Sequence, residues 1–292
     1  MIEYFIRAVV AGTPLLIAAL GEIVTERSGI LNLGIEGIFV LGAATAFTMT
    51  ITTGSPILGL IGGVIVGAII GLIHSIVTIT FRGNQVVSGL ALTILGYGLA
   101  SLIGKGYVGT PITNVIRSYD IWYAILIVIL AASTFLWYLM FKTKIGAILR
   151  ASGENPHAAE ALGVNVLKVR YLATIFGASL CGLAGAWHVV GYINLWTEGT
   201  GVGRGWIALA IVIVSGWNTL LAPLIAFLFG GIEATMWILQ LPPYNVDPYL
   251  LGMIPYIVTL IALIVFMATP LKRRFKPPDH LGKPYFKEER TI

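Results

Sequence analysis

Apolar residues in this chain come in runs of about twenty, the length a helix needs to cross the hydrocarbon core of a bilayer. Such runs lie near 5–24, 30–50, 56–80, 85–104, 119–141, 167–193, 219–241 and 249–271. A shorter run, 205–218, predicts a broken or re-entrant helix. The pattern therefore gives eight to ten crossings. It predicts an all-α, polytopic membrane helix bundle over residues 1–271, followed by a polar cytoplasmic tail over 272–292.

The longest polar interruption, 142–170, is not written like a loop. Asn155 can cap a helix, and Pro156 suits the first helical position. Ala158, Ala159, Glu160, Ala161 and Leu162 propagate the helix, and Gly163 stops it. A membrane protein that holds a short helix on its cytoplasmic face usually presents it to a partner. The segment predicts the membrane half of a machine whose motor lies elsewhere.

Hydrophobic residues are 57% of the chain and charged residues 11%, against roughly a quarter charged in ordinary soluble domains. That excludes a soluble protein. Five Lys and Arg fall in 142–170 and seven after residue 270, and both groups should be cytoplasmic by the positive-inside bias. If 205–218 crosses fully, parity also puts Arg27 and Arg82 inside. Arg7, Lys105, Arg117, Arg204 and the N-terminus are then outside. The net charge of +5 is a topology signal on this reading and implies no nucleic-acid partner. The opening residues lack a basic region and a cleavage site, so they read as the start of the first span. Cys181 is the only cysteine and permits no disulfide within the chain. Gly59, Gly62, Gly63, Gly67 and Gly71 are spaced for close helix packing.

Polar groups inside spans are costly and face a cavity, a partner or each other. Asn32 and Glu36 are four apart and share a helix face, with Gly29, Gly34 and Gly37 leaving room for a backbone break or a ligand. Three roles stay open for them: lining a substrate path, locking two helices together, or carrying an ion or proton. Asn84 can cap the following span, while Gln85 and Ser88 share a face and can line a path. In 194–206, Trp196 and Trp206 suit either a membrane boundary or a path. Four glycines there predict a sharp bend, across which Glu198 and Arg204 can pair. His74 and His188 read as packing or hydrogen-bonding residues, and no metal site is expected. The chain has no Gly-x-x-x-x-Gly-Lys-[Ser/Thr] loop. If ATP drives it, another chain binds the nucleotide. It is not expected to be an enzyme, and no cofactor is implied.

The run from Ala19 to Gly37, with Gly21-Glu22, Glu26-Arg27-Ser28-Gly29 and Asn32-Leu33-Gly34-Ile35-Glu36-Gly37, resembles permease subunits of bacterial ABC importers. The most similar group is the nucleoside and simple-sugar branch of the ribose and branched-chain amino acid permease superfamily. Asn84–Thr93, Gly153–Gly163, Leu195–Gly199, Gly203–Ala210 and Leu281–Tyr285 agree with it. The resemblance implies two permease chains, identical or different, around a central path. Cytoplasmic ATPase subunits would sit below, and an extracytoplasmic binding lipoprotein would deliver substrate from above. The location implied is the bacterial inner membrane, multi-pass. On that picture Glu154, Asn155, Pro156, Ala159, Glu160, Leu162 and Gly163 belong to a coupling helix. Asn32, Glu36, Asn84, Gln85, Ser88, Trp196 and Glu198 are the candidates for the substrate path. Nucleosides are the expected cargo, with simple sugars, riboflavin-like substrates or an ion-coupled secondary transporter as alternatives.

Overall fold

A computed structural model describes residues 2–113, 116–268 and 276–287. Eleven α-helices are present among them: α1 (Ile2–Arg27), α2 (Ile35–Thr53), α3 (Pro56–Ser75), α4 (Gln85–Gly104), α5 (Trp122–Lys142), α6 (Lys144–Glu154), α7 (Pro156–Ala161), α8 (Val166–Trp187), α9 (Arg204–Val214), α10 (Ala222–Leu239) and α11 (Pro248–Ala268). Single π-helical turns extend α3 through Thr80 and α8 through Ile193. Among the described residues, seven helices are long and apolar enough to cross a membrane. Together with α11 and the half-length α9 they agree with the crossings expected from the apolar runs. Of the tail, Lys272, Arg273, Arg274 and Arg290, counted above among its cations, lie outside the described residues.

Short polar side chains set the helix starts. Ser55 accepts from Leu58 N, with Pro56 at the first position of α3. Asn84 accepts from Val86 N and Val87 N (2.9 and 3.1 Å), and Asn165 from Lys168 N (3.0 Å). Each cap satisfies an amide that the helix itself leaves without an acceptor.

The core of the bundle is α1, buried almost continuously from Ala8 to Glu26. Helices α8 and α10 pack along it. Glycine makes the tightest crossings possible. A side chain on Gly182 of α8 would strike the backbone of Gly63 and Gly67 on α3, and one on Gly42 of α2 would strike Gly182. Lipid tails are as apolar as the helices, so such van der Waals contact is a main source of association.

The two ends of the bundle differ. At one end lie Arg27, Arg82, the α6–α7 segment and tail residues 276–287: Arg27 faces Glu154, and the Arg82 guanidinium stands 4.7 Å from the Phe286 ring centre. Loop 109–112 closes the other end by pairing its backbone with Asn194–Trp196. The first end is the basic one expected to be cytoplasmic.

Candidate functional site

Two crossings are broken, and the breaks meet. After α1 the chain turns back as non-helical residues 28–34 before α2 begins. Gly29 takes φ +95° at that turn, a conformation that favours glycine. Gly37, just inside α2, packs against Leu92, Thr93 and Gly96, the middle of α4. The start of α2 is therefore at mid-depth. After α8 the chain descends from Asn194 through residues 197–203 and starts α9 beside the same point, with Gly205 against the backbone of Glu36. Helix α9 then runs to the basic end, where the Arg27 side chain donates to the carbonyls of Gly216 and Trp217. Residues 194–217 thus make one full crossing, helical only in its second half, and Arg204, expected outside, lies instead at mid-depth against Glu233.

Glu36 joins the breaks. Its carboxylate accepts from Gly203 N (2.5 Å), Gly205 N (2.8 Å), Trp206 N (3.2 Å) and the Tyr97 hydroxyl (2.7 Å). It has no exposure. These amides are the ones a helix leaves free at its first turn, and the positive end of the α9 dipole favours an anion there. The carboxylate of one broken helix is thus the cap of the other.

A largely buried charge pair lies behind this junction. Arg204 donates to both carboxylate oxygens of Glu233 on α10, at 2.6 and 2.7 Å. The sequence alone pairs Arg204 with Glu198 across the bend over 194–206. Glu198 is exposed instead, because α10 brings Glu233 to the arginine as a two-pronged acceptor. Three aromatic side chains remain partly open at mid-depth. The Trp206 indole lies against Tyr97, and Tyr256 of α11 puts its hydroxyl beside Gly203 while staying 44% exposed.

Around residues 28–34, Asn32, Gln85 and Ser88 converge. Asn32 is buried, and its Oδ1 accepts from Gly34 N at 3.1 Å. The Gln85 carbonyl oxygen accepts from Leu31 N at 2.7 Å. His74 bridges Ser88 (2.9 Å) and the Leu31 carbonyl (3.1 Å). Asn84 is the exposed cap of α4. Trp196 and Glu198 lie apart from this group, towards the opposite end. Trp196 is buried against Phe47, with ring centres 5.8 Å apart.

At the basic end the polar island folds as α6 and α7. Asn155 accepts from Ala158 N (3.0 Å) and Pro156 opens α7. Gly163, at φ +84°, ends it. Ala159 is buried, whereas Leu162 is 86% exposed, so α7 keeps one face on the protein and offers the other. Glu154 accepts from Asp279 N at 3.2 Å, and Glu160 accepts from the Tyr285 hydroxyl. Burial, then that bond to Glu160, pushes the Tyr285 pKa up to about 12.

A family model described as "Branched-chain amino acid transport system / permease component" matches residues 4–265. The chain belongs to this permease family. The permease is 32% identical to NupQ of Bacillus subtilis, a guanosine ABC transporter permease, over 96% of its own length and 95% of that protein's. It is 30% identical to NupC of Lactococcus lactis, a nucleoside ABC transporter permease, covering 87% and 89% of the two chains. A Haloferax volcanii protein assigned as a glucose ABC transporter permease, TsgC13, is 35% identical over 82% of this chain and 78% of its own. Among solved structures, the fold is similar to an inward-facing protein assigned as a metal-chelate type ABC transporter. That match has a TM-score of 0.51 and 17% identity, covering 90% of this permease and 85% of that chain.

Several residues that organise the permease were given no role by the sequence read alone. Glu22 and Glu26 on α1 are buried, Glu22 beside Asn32 and Glu26 accepting from the Trp217 indole. Arg170 counts in the sequence as one more surface cation, yet it is 2% exposed. The signal that could have found the glutamates is their place in an otherwise apolar run, since a charge within a span marks a site by default.

Proposed function

We propose that this permease is the membrane-spanning subunit of an ABC importer that moves nucleosides across the inner membrane, driven by ATP hydrolysis on separate cytoplasmic subunits. The observation that carries this reading is the likeness to NupQ and NupC along nearly the whole of each chain. The geometry supports it: α7 stands at the basic end with Leu162 outward and its other face anchored. On this reading α7, with Glu154, Asn155, Pro156, Ala159, Glu160, Leu162 and Gly163, seats in a groove of the ATPase. A second permease chain, identical or homologous, closes the path, and an extracytoplasmic binding lipoprotein loads it. The permease performs no bond chemistry of its own.

Within that path, the partly open rings of Tyr97, Trp206 and Tyr256 are the surface offered to a base. Stacking of a base on an aromatic ring is worth about 1–3 kcal/mol. Asn32, Glu36, Gln85 and Ser88 act from behind by fixing the two broken helices. Asn84, Trp196 and Glu198 belong to the two ends of the path. Simple sugars are the second reading, favoured by the 35% identity to TsgC13.

The test is a pull-down of the tagged permease from detergent-solubilised membranes, followed by uptake of labelled guanosine with unlabelled nucleosides, glucose or arabinose as competitors. Co-purification of an ATPase and competition by nucleosides alone are expected. Competition by a sugar would move the substrate to the second reading. A permease recovered alone and active in proteoliposomes under an ion gradient would overturn the importer.

A further inference from the structure

Residues 279–287 run back under the bundle and touch each element that connects α7 to the membrane interior. His280 N donates to the carbonyl of Gly153 (2.9 Å) at the end of α6, and Asp279 N to Glu154. Gly282 N donates to the Gly29 carbonyl (3.3 Å), inside the α1–α2 break. The Gln85 amide donates to the Lys283 carbonyl (3.4 Å) while its oxygen holds Leu31 N. Phe286 lies under Arg82. On the other side Tyr285 packs with Ala159 and Val166 as the small apolar core beneath α7, and its hydroxyl reaches Glu160, which Lys287 also faces at 3.9 Å. The buried Arg170 donates to the Ser152 carbonyl (3.1 Å) and to Nδ1 of His280 (3.2 Å).

This is more than a cover for α7. Helix α7 is six residues long, too short to hold its place by its own hydrogen bonds. Backbone bonds from the tail to both Gly153 and Gly29 fix the tail's register against the α6–α7 junction and the break at once. Two residues beyond Leu31 the chain enters the turn that presents Glu36 to α9, so the contacts are continuous from α7 to mid-depth.

We propose that the tail is a strut: Tyr285 and His280 are positioning residues that tie α7 to the α1–α2 break, and displacement of α7 reaches the mid-bundle junction through them. The proposal rests on reading α7 as the ATPase-docking helix. Mere adjacency does not establish coupling, which must be measured as an energy shared by two sites.

The experiment uses the complete complex with its ATPase and binding lipoprotein in proteoliposomes, and reads nucleoside imported per ATP hydrolysed. Tyr285→Ala should leave the ATPase bound and lower that ratio by about two- to thirtyfold, the range for substitutions along a coupling route. Tyr285→Phe keeps the ring and loses the bond to Glu160, so it should fall between Tyr285→Ala and wild type. Tyr285→Phe combined with Glu160→Gln should be no worse than either alone. An unchanged ratio in Tyr285→Ala would overturn the strut. So would failed assembly of Tyr285→Ala beside an unchanged ratio in Tyr285→Phe. Wild-type permease that binds no ATPase would instead sink the importer reading, and the strut with it.

Discussion

At mid-depth, Glu36 holds α9 through three backbone amides and also takes a tyrosine hydroxyl, its carboxylate out of contact with solvent. At the basic end, Glu160 is held by Tyr285 and Lys287 from a tail whose neighbours Pro284 and Lys283 are exposed. Both are carboxylates that fix a short helix, but water competes for one and not for the other. Removing a partner from the dry site leaves donors with nothing to bond. Removing the exposed Lys287 from the other site leaves Glu160 to solvent, and exposed ion pairs are worth about 0–1 kcal/mol. The permease thus holds its mid-depth junction by dry contacts and the outer edge of α7 by a contact open to water.

The strongest way to break this comparison is at the charge pair behind the junction. Arg204→Met should cost about 3–5 kcal/mol by leaving Glu233 buried without its counter-ion. Arg204→Met with Glu233→Met should recover most of the loss, read as thermal unfolding of the purified permease. A double variant as unstable as the single would show that the pair is not the source. Next in size, Glu36→Ala should lower stability by about 3 kcal/mol, since the α9 amides and Tyr97 lose their acceptor together. Full accumulation and an unchanged melting temperature would contradict the cap. Gly163→Val forces a β-branched residue into the left-handed region that ends α7, at about 1–2 kcal/mol. Its effect should appear as less nucleoside carried per ATP, with the fold kept and the melting temperature lowered by only a few degrees.

The smallest effect sharpens the wet side. Arginine can only donate, so His280 accepts from Arg170 as a neutral imidazole. Its pKa is held below the ordinary 6.5 by burial, then by the Arg170 charge. The docked tail therefore binds fewer protons than a released one. Docking is fully present above pH 6.5 and weakens as pH falls below that value. Hydrogen exchange of the 279–286 amides should be faster at pH 5.5 than at 7.5, after correction for the intrinsic rate, while α2 and α9 stay protected. Equal protection at both pH values would remove His280 from the docking.

The spans were legible because the bilayer demands long apolar runs, and the starts at Asn84 and Asn155 because a cap needs a particular side chain at one position. Gly29 and Gly34 left room for the break after α1, but the expected helix face shared by Asn32 and Glu36 does not form, because residues 28–34 are non-helical and α2 begins at Ile35. The shortness of α9 was signalled by its apolar run. Pairings between distant elements were not legible. Glu198 is six residues from Arg204, and Glu233 twenty-nine, yet helix packing decides for the farther one. Tyr97 and His280 look ordinary in the chain, and Tyr285 stands out only as part of the Leu281–Tyr285 motif. Their roles come from where α4 and the tail finally rest. Arg170 misleads for a related reason: counting cations gives the side of the membrane, not whether the guanidinium is in water.

The cap supplied by Glu36 also has a bearing on how the permease is made. The acceptor and the first amide it serves are 167 residues apart. When Glu36 enters the membrane, the residues that will satisfy it have yet to leave the ribosome. Helix α9, eleven residues long and so about 16 Å, cannot enter as a spanning helix on its own. It must settle against a bundle whose first helices already wait with the carboxylate in place. Assembly from N- to C-terminus is written into that one contact.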